Sequence, residues 1–172
     1  MTIVKHKDQR VVTLIDVPNM YHSAKALYQK RVNFKEVLKQ AVAGRKLIRA
    51  IGYVVKTESR EEAAFFDALV KSGIETKIKE LQVYPGGFKK GDWDVGLAVD
   101  AIRLAQKADV VVLVTGDGDF APLIEYLKTN LGSQVEVIGF GRSSSSKLKE
   151  RADEFFNLED DPRRFLLATK NI

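Results

Sequence analysis

The run Asp109–Thr115, DVVVLVT, followed at once by GDGDFAP (Gly116–Pro122), decides the fold. An unbroken β-branched run of this length reads as a parallel strand buried on both faces. The Gly-Asp-Gly-Asp turn ends it, and a helix over about Phe120 to Asn130 follows. Upstream, Trp93 to Gln106 reads as a helix offering Val95, Leu97, Ala98, Ile102 and Leu104 to a core. Further back, VVTLID (Val11–Asp16) is a second doubly buried strand, ending on Asp16, with Pro18 fitting the start of a helix. Asn33 with Glu36, and Ser59 with Glu62, mark two more helix starts. Strands over about Leu47 to Val55, Thr76 to Tyr84, Val135 to Phe140 and Phe155 to Leu158 complete the alternation. The Thr76 to Tyr84 strand alternates polar and apolar residues, which places it near an edge. PGGFKKGD (Pro85–Asp92) reads as a loop. Alternating strands and helices imply right-handed crossovers, hence an α/β fold. The expectation is a Rossmann-like open parallel sheet of order about 3-2-1-4-5, with helices on both faces.

At 172 residues the chain is close to one ordinary domain. Residues 1–158 read as that domain and 159–172 as a C-terminal tail that docks on a partner subunit or frays. There is no cysteine, which excludes disulfide scaffolds, thiolate nucleophiles and cysteine-ligated zinc. Two histidines, His6 and His22, leave little for a histidine-rich metal site. No stretch resembles a signal peptide or a membrane span, so the expected setting is the cytoplasm, with no membrane partner. The formal net charge of +5 favours a polyanion only modestly.

The acidic residues are more informative. In a doubly wound sheet the ligand crevice lies beyond the carboxyl ends of the strands, where the strand order reverses. Asp16 ends the first strand, and Asp117 and Asp119 follow the Asp109–Thr115 strand. Asp94 opens the helix that enters the same edge. Taken singly, each has a structural explanation. Asp-Gly-Asp is ordinary turn chemistry, Asp94 complements a helix dipole, and Asn19 caps a helix. Together they crowd like charges, which raise one another's pKa or recruit a cation. An all-oxygen site suits Mg²⁺ or Mn²⁺, and such an ion suits phosphodiester hydrolysis. Asp100, about 240° around the helix from Asp94, should point elsewhere and pair with Arg103 or Lys107. Trp93 reads as a packing anchor.

IDVPN (Ile15–Asn19), KGDWDVGLAVDAIRLA (Lys90–Ala105), VTGDGDFAPLIEYL (Val114–Leu127), VEVIGF (Val135–Phe140) and ADEF (Ala152–Phe155) together resemble the NYN domain. This is a branch of the PIN-like nuclease superfamily, and the spacing is similar to its bacterial LabA-like group. The resemblance covers about Val11 to Leu158. It implies a divalent-metal-dependent ribonuclease centre, with Asp16, Asp94, Asp117 and Asp119 as metal ligands or catalytic acids and Asn19 as the matching asparagine. Pro18 stands where the family often has glycine. PIN-like nucleases often carry a further acid on an early helix, and neither Glu36 nor Glu62 can be matched to it.

RNA is the implied partner. Lys89, Lys90, Arg142, Lys147 and Lys149 fall near the same edge as candidates to track a phosphate backbone. Ser143 and Ser144, within the Ser143–Ser146 run, are candidates to present hydroxyls to it. Tyr84 and Phe88 are candidates to stack on bases, though anchoring a loop is the simpler role. The alternative reading is a non-catalytic RNA-binding or regulatory module of the same fold. A phospho-receiver fits worse, since the first strand carries one aspartate and the later acids sit in a loop. A homodimer is compatible with the sequence, which sets no oligomeric state.

Overall fold

β-Branched apolar runs make the middle of the molecule in a computed structural model that describes residues 3–57, 62–87, 89–90 and 92–168, with 89–90 as backbone only. Ser59, Phe88 and the side chains of Lys89 and Lys90 lie outside the described residues. Six strands form the parallel sheet: β1 (Arg10–Asp16), β2 (Lys46–Lys56), β3 (Glu75–Glu80), β6 (Val110–Val114), β7 (Gln134–Gly139) and β8 (Glu154–Asn157). Their order is β3-β2-β1-β6-β7-β8, every pair parallel, so the expected order holds and a sixth strand extends it. The order reverses between β1 and β6, and those two strands are hydrogen-bonded neighbours.

Successive side chains on a strand point to opposite faces, and the central strands therefore serve two cores. Val11 and Ile15 of β1, with Val110, Val112 and Val114 of β6, pack under α1 (Val17–Tyr28), α2 (Phe34–Val42) and α3 (Glu62–Lys71). Val12, Leu14, Val111 and Leu113 pack under α4 (Asp94–Ala105), α5 (Ala121–Leu131) and α6 (Ser146–Arg151). All nine of these strand residues are fully buried.

Three expectations need correction. The strand anticipated over Thr76 to Tyr84 stops at Glu80. Gln82–Val83 (β4) then pairs antiparallel with Lys89–Lys90 (β5), so the expected loop is the turn of a small hairpin beyond the sheet edge. Gly86 and Gly87, at φ 94 and 83, supply the left-handed backbone that turn needs. Val95 does not enter the core; it is 77% exposed, and Leu97, Ala101 and Ala105 are the residues of α4 that do.

The third correction concerns the C-terminal segment. Up to residue 168 it neither frays nor leaves the domain. α7 (Pro162–Phe165) is capped by Asp161, and Val32 pairs with Leu166 in an antiparallel bridge. Arg164 reaches Glu36 and Gln40 on α2, at 2.8 and 3.0 Å. Phe165 is fully buried in the α1–α3 core, edge-on to Phe156. Phe165→Ala should therefore cost about 3–5 kcal/mol of stability, as for other buried aromatic truncations. Urea denaturation would check this, and a loss below ~1 kcal/mol would mean the segment is not part of the cooperative core.

Candidate metal centre

Parallel registry puts the acids together. Ile15 lies opposite Val114, so Asp16 and Thr115 emerge side by side at the carboxyl edge. The Thr115 hydroxyl donates to Asp16 Oδ2 at 3.0 Å and accepts from the Asp117 amide at 3.1 Å. Asp16 Oδ1 accepts from the Asn19 amide and so caps α1. The Asn19 carboxamide in turn accepts from the Gly116 amide at 2.8 Å, across the two strand-end loops. Asn19 is thus a tether between loops, and the helix cap expected of it is supplied by Asp16.

Asp94 arrives from the first turn of α4. Carboxylate oxygens of Asp16, Asp94 and Asp117 lie within 4.8 Å of one another, each residue partly buried. Asp119 does not join that set; it is exposed, in a single 3₁₀ turn whose amide donates to Asp117 Oδ1 at 2.9 Å. No lysine or arginine among the described residues pairs with any of the three clustered acids.

That crowding is visible in their acidities. Burial pushes Asp94 up to about 6, with Asp117, Asp16, Asp92 and Asp119 adding repulsion. Burial also raises Asp16, against the opposing hydrogen bonds from Asn19 and Thr115. Sequence reasoning missed Asp92, whose Oδ1 accepts from the Asp94 amide at 3.3 Å and whose charge reaches both acids. The signal was present as an Asp-x-Asp at a helix start. It missed Thr115 as well, the residue that links the two strand-end carboxylates.

The remaining predicted residues are placed as follows. Asp100 points away from the cluster, accepting from Lys77 at 2.6 Å and Tyr53 at 2.7 Å, with Arg103 at 3.7 Å; Lys107 is not its partner. Trp93 anchors α4, donating to the Val54 carbonyl and meeting Tyr53 edge-on. Arg142 is bound to Glu159 at 2.6 Å and Lys149 to the Gly141 carbonyl at 2.7 Å, so both have partners within the protein. The hydroxyls of Ser143 and Ser144 turn to the Phe140 carbonyl. Ser145 caps α6 and its amide donates to the Gly116 carbonyl, which draws the serine loop against the acid-bearing loop. The approach is close enough that a Cβ on Gly118 would sit 2.5 Å from the Ser145 hydroxyl. Lys147 is exposed. Glu36 and Glu62 are engaged elsewhere, with Arg164 and Thr57.

Three hard oxygen donors from three segments, with neither cysteine nor histidine among them, fit Mg²⁺ or Mn²⁺. Without a cation the repulsion weakens the fold. The pKa of Asp94 rises on folding, so the penalty is absent below about pH 4 and complete above about pH 6. In EDTA, Asp94→Asn should raise Tm at pH 7, by about 1 kcal/mol of stability after screening of this half-exposed group. The gain should shrink toward pH 4; thermal melts across that range would check it.

Comparison with known proteins agrees with this architecture. The family model for the NYN domain matches residues 10–159. The low amplitude and bright protein LabA of Synechococcus elongatus is 28% identical over 130 residues, covering 72% of this chain and 69% of its own. A Vibrio parahaemolyticus protein of unknown function, VPA0982, has a crystal structure superposing with a TM-score of 0.86 at 30% identity. That match spans 96% of this chain and 100% of the other. With the matched region running from the start of β1 through the end of β8, the chain belongs to the NYN domain family.

Proposed function

We propose that the protein is a divalent-metal-dependent endoribonuclease that hydrolyses phosphodiester bonds at the carboxyl edge of its sheet. The observation that carries the reading is the set of three carboxylates within 4.8 Å, at the strand-order switch point, with no basic partner among the described residues. Membership of a family that includes nucleases supports it. Among the described residues no helix is long and apolar enough to cross a membrane.

Asp16, Asp94 and Asp117 are the residues to hold Mg²⁺ or Mn²⁺. The bound ion supplies a water of lowered pKa and offsets charge on a phosphoryl oxygen. Asp119, exposed beside the cluster, orients the attacking water and takes its proton. Water oxygen bonds to phosphorus, the bond to the leaving ribose oxygen breaks, that oxygen takes a proton from bulk water, and the products end in a phosphate monoester and a hydroxyl. Asn19 and Thr115 act indirectly: their hydrogen bonds hold the loops that aim Asp16 and Asp117. Lys147, exposed on the helix whose cap abuts Gly118, is the first candidate for the substrate backbone, with Lys89 and Lys90 as the second. A homodimer is not required by this scheme.

Incubation of end-labelled RNA with Mn²⁺ should yield internal cuts that EDTA abolishes. Asp117→Asn should slow cleavage by more than the roughly 10–100-fold typical of outer-shell residues. Cleavage unchanged in both controls would place the activity elsewhere. Binding of the ion is separately measurable. Mn²⁺ at about 100 times its Kd should stabilise the wild type by about 2.7 kcal/mol, or ~5–11 °C, and Asp16→Asn much less.

A further inference from the structure

β3 is an edge strand of the sheet, flanking the strands on which α4 packs. Lys77 and Lys79 stand on it, in register with Tyr53 and Val55. Between β3 and α4 runs a groove of about 370 Å³ lined chiefly by Arg49, Lys77, Asp100, Arg103, Gln106 and Lys107. Four cations surround one carboxylate. Asp100 is answered by Lys77 and Tyr53, and Arg49 forms a two-point pair with Glu75 at 2.8 and 2.9 Å. Among the described residues Arg103, its side chain 73% exposed, has the 3.7 Å contact with Asp100 as its one ion pair. The Lys107 ammonium has no partner among the described residues.

The nearest groove residue on α4, Asp100, stands six residues from Asp94, roughly 9 Å along the helix, and Lys79 lies on β3, ahead of the hairpin. Lys79 donates to the Asp92 carbonyl at 3.0 Å and lies 5.1 Å from the Trp93 ring centre. From Asp94 to Ala105 is eleven residues of helical advance, roughly 16 Å, and Lys107 follows in the turn beyond. A polar groove of this lining offers little apolar wall for a small ring compound, and its spare charge is positive, at Arg103 and Lys107.

We propose that this groove takes the sugar–phosphate backbone of single-stranded RNA as it leaves the acid cluster, with Arg103 and Lys107 contacting successive phosphates. The proposal rests on the ribonuclease reading for its direction, and its test separates the two. In EDTA, a fluorescent oligouridylate of about 12 nucleotides is titrated against the wild type and Arg103→Gln/Lys107→Gln by anisotropy, between ~50 and ~200 mM salt. Both side chains are exposed, so the variant should melt as the wild type does. Two lost phosphate contacts should flatten the log K against log salt slope by about 1.4. Over that salt range the wild type should then lose about sevenfold more affinity than the variant. Equal slopes with a binding wild type overturn the groove and leave the acid-site reading standing. A slope difference in a protein that never cuts RNA supports the groove and sinks the nuclease; a wild type that binds no RNA removes both. Equal displacement of the RNA by polyglutamate would overturn it as a nucleic-acid groove.

Discussion

The hydrogen-bonded pairing of β1 with β6 is the constraint on which the rest of the molecule depends. It buries the two most apolar strands on both faces, and it brings two strand ends into register at one edge. Everything acidic follows from that registry, since Asp16 and the loop after Thr115 then have nowhere to go but beside each other. Like charges held so close oppose folding. The opposition is sustained because the energy that closes the sheet lies in the cores beneath, where the carboxylates take no part. A cluster of this kind is a strain maintained by packing at a distance, and its donor set is compatible with a divalent cation.

Around the acids, short polar side chains replace flexible loop with fixed geometry. Asn19 bridges to Gly116, the Ser145 amide bonds the Gly116 carbonyl, and Asn157 accepts from the amides of Gly141 and Glu159. Glycine at 118 lets the serine loop approach to contact distance. The loops after β1, β6 and β7 therefore form one connected rim. Metal-ligand geometry is only as good as the shell that supports it, and here that shell is built largely from backbone groups pinned by Asn, Ser and Thr.

The acidic rim and the groove beside α4 differ in how their charges are answered. At the rim, burial raises Asp94 and Asp16 because no cation replies. In the groove, burial would likewise raise Asp100, but hydrogen bonds from Lys77 and Tyr53 hold it below the usual carboxylate range. Tyr53 is correspondingly reluctant to ionise: burial and then Asp100 raise it. One helix thus carries two aspartates, six residues apart, in opposite electrostatic settings. The phase of α4 separates them, turning Asp94 to the switch point and Asp100 toward β3.

The amino-acid sequence by itself determined the sheet, its strand order and the three acids that meet. Each of these depends on local pattern: β-branched runs bury on both faces, parallel connections cross over with one hand, and a residue ending such a strand must emerge at the carboxyl edge. Asp16, Asp94 and Asp117 were legible for that reason. Tertiary structure alone decided the rest. Whether Arg142 is free depends on Glu159, and whether the last residues fray depends on Phe165 finding a cavity beneath Phe156. Thr115 as the link between acids, and Lys77 as the partner of Asp100, exist only through contacts between strands and helices distant in the chain. Side-chain pairing is set by which surfaces the folded backbone brings within about 3 Å, and one-dimensional spacing carries no record of that.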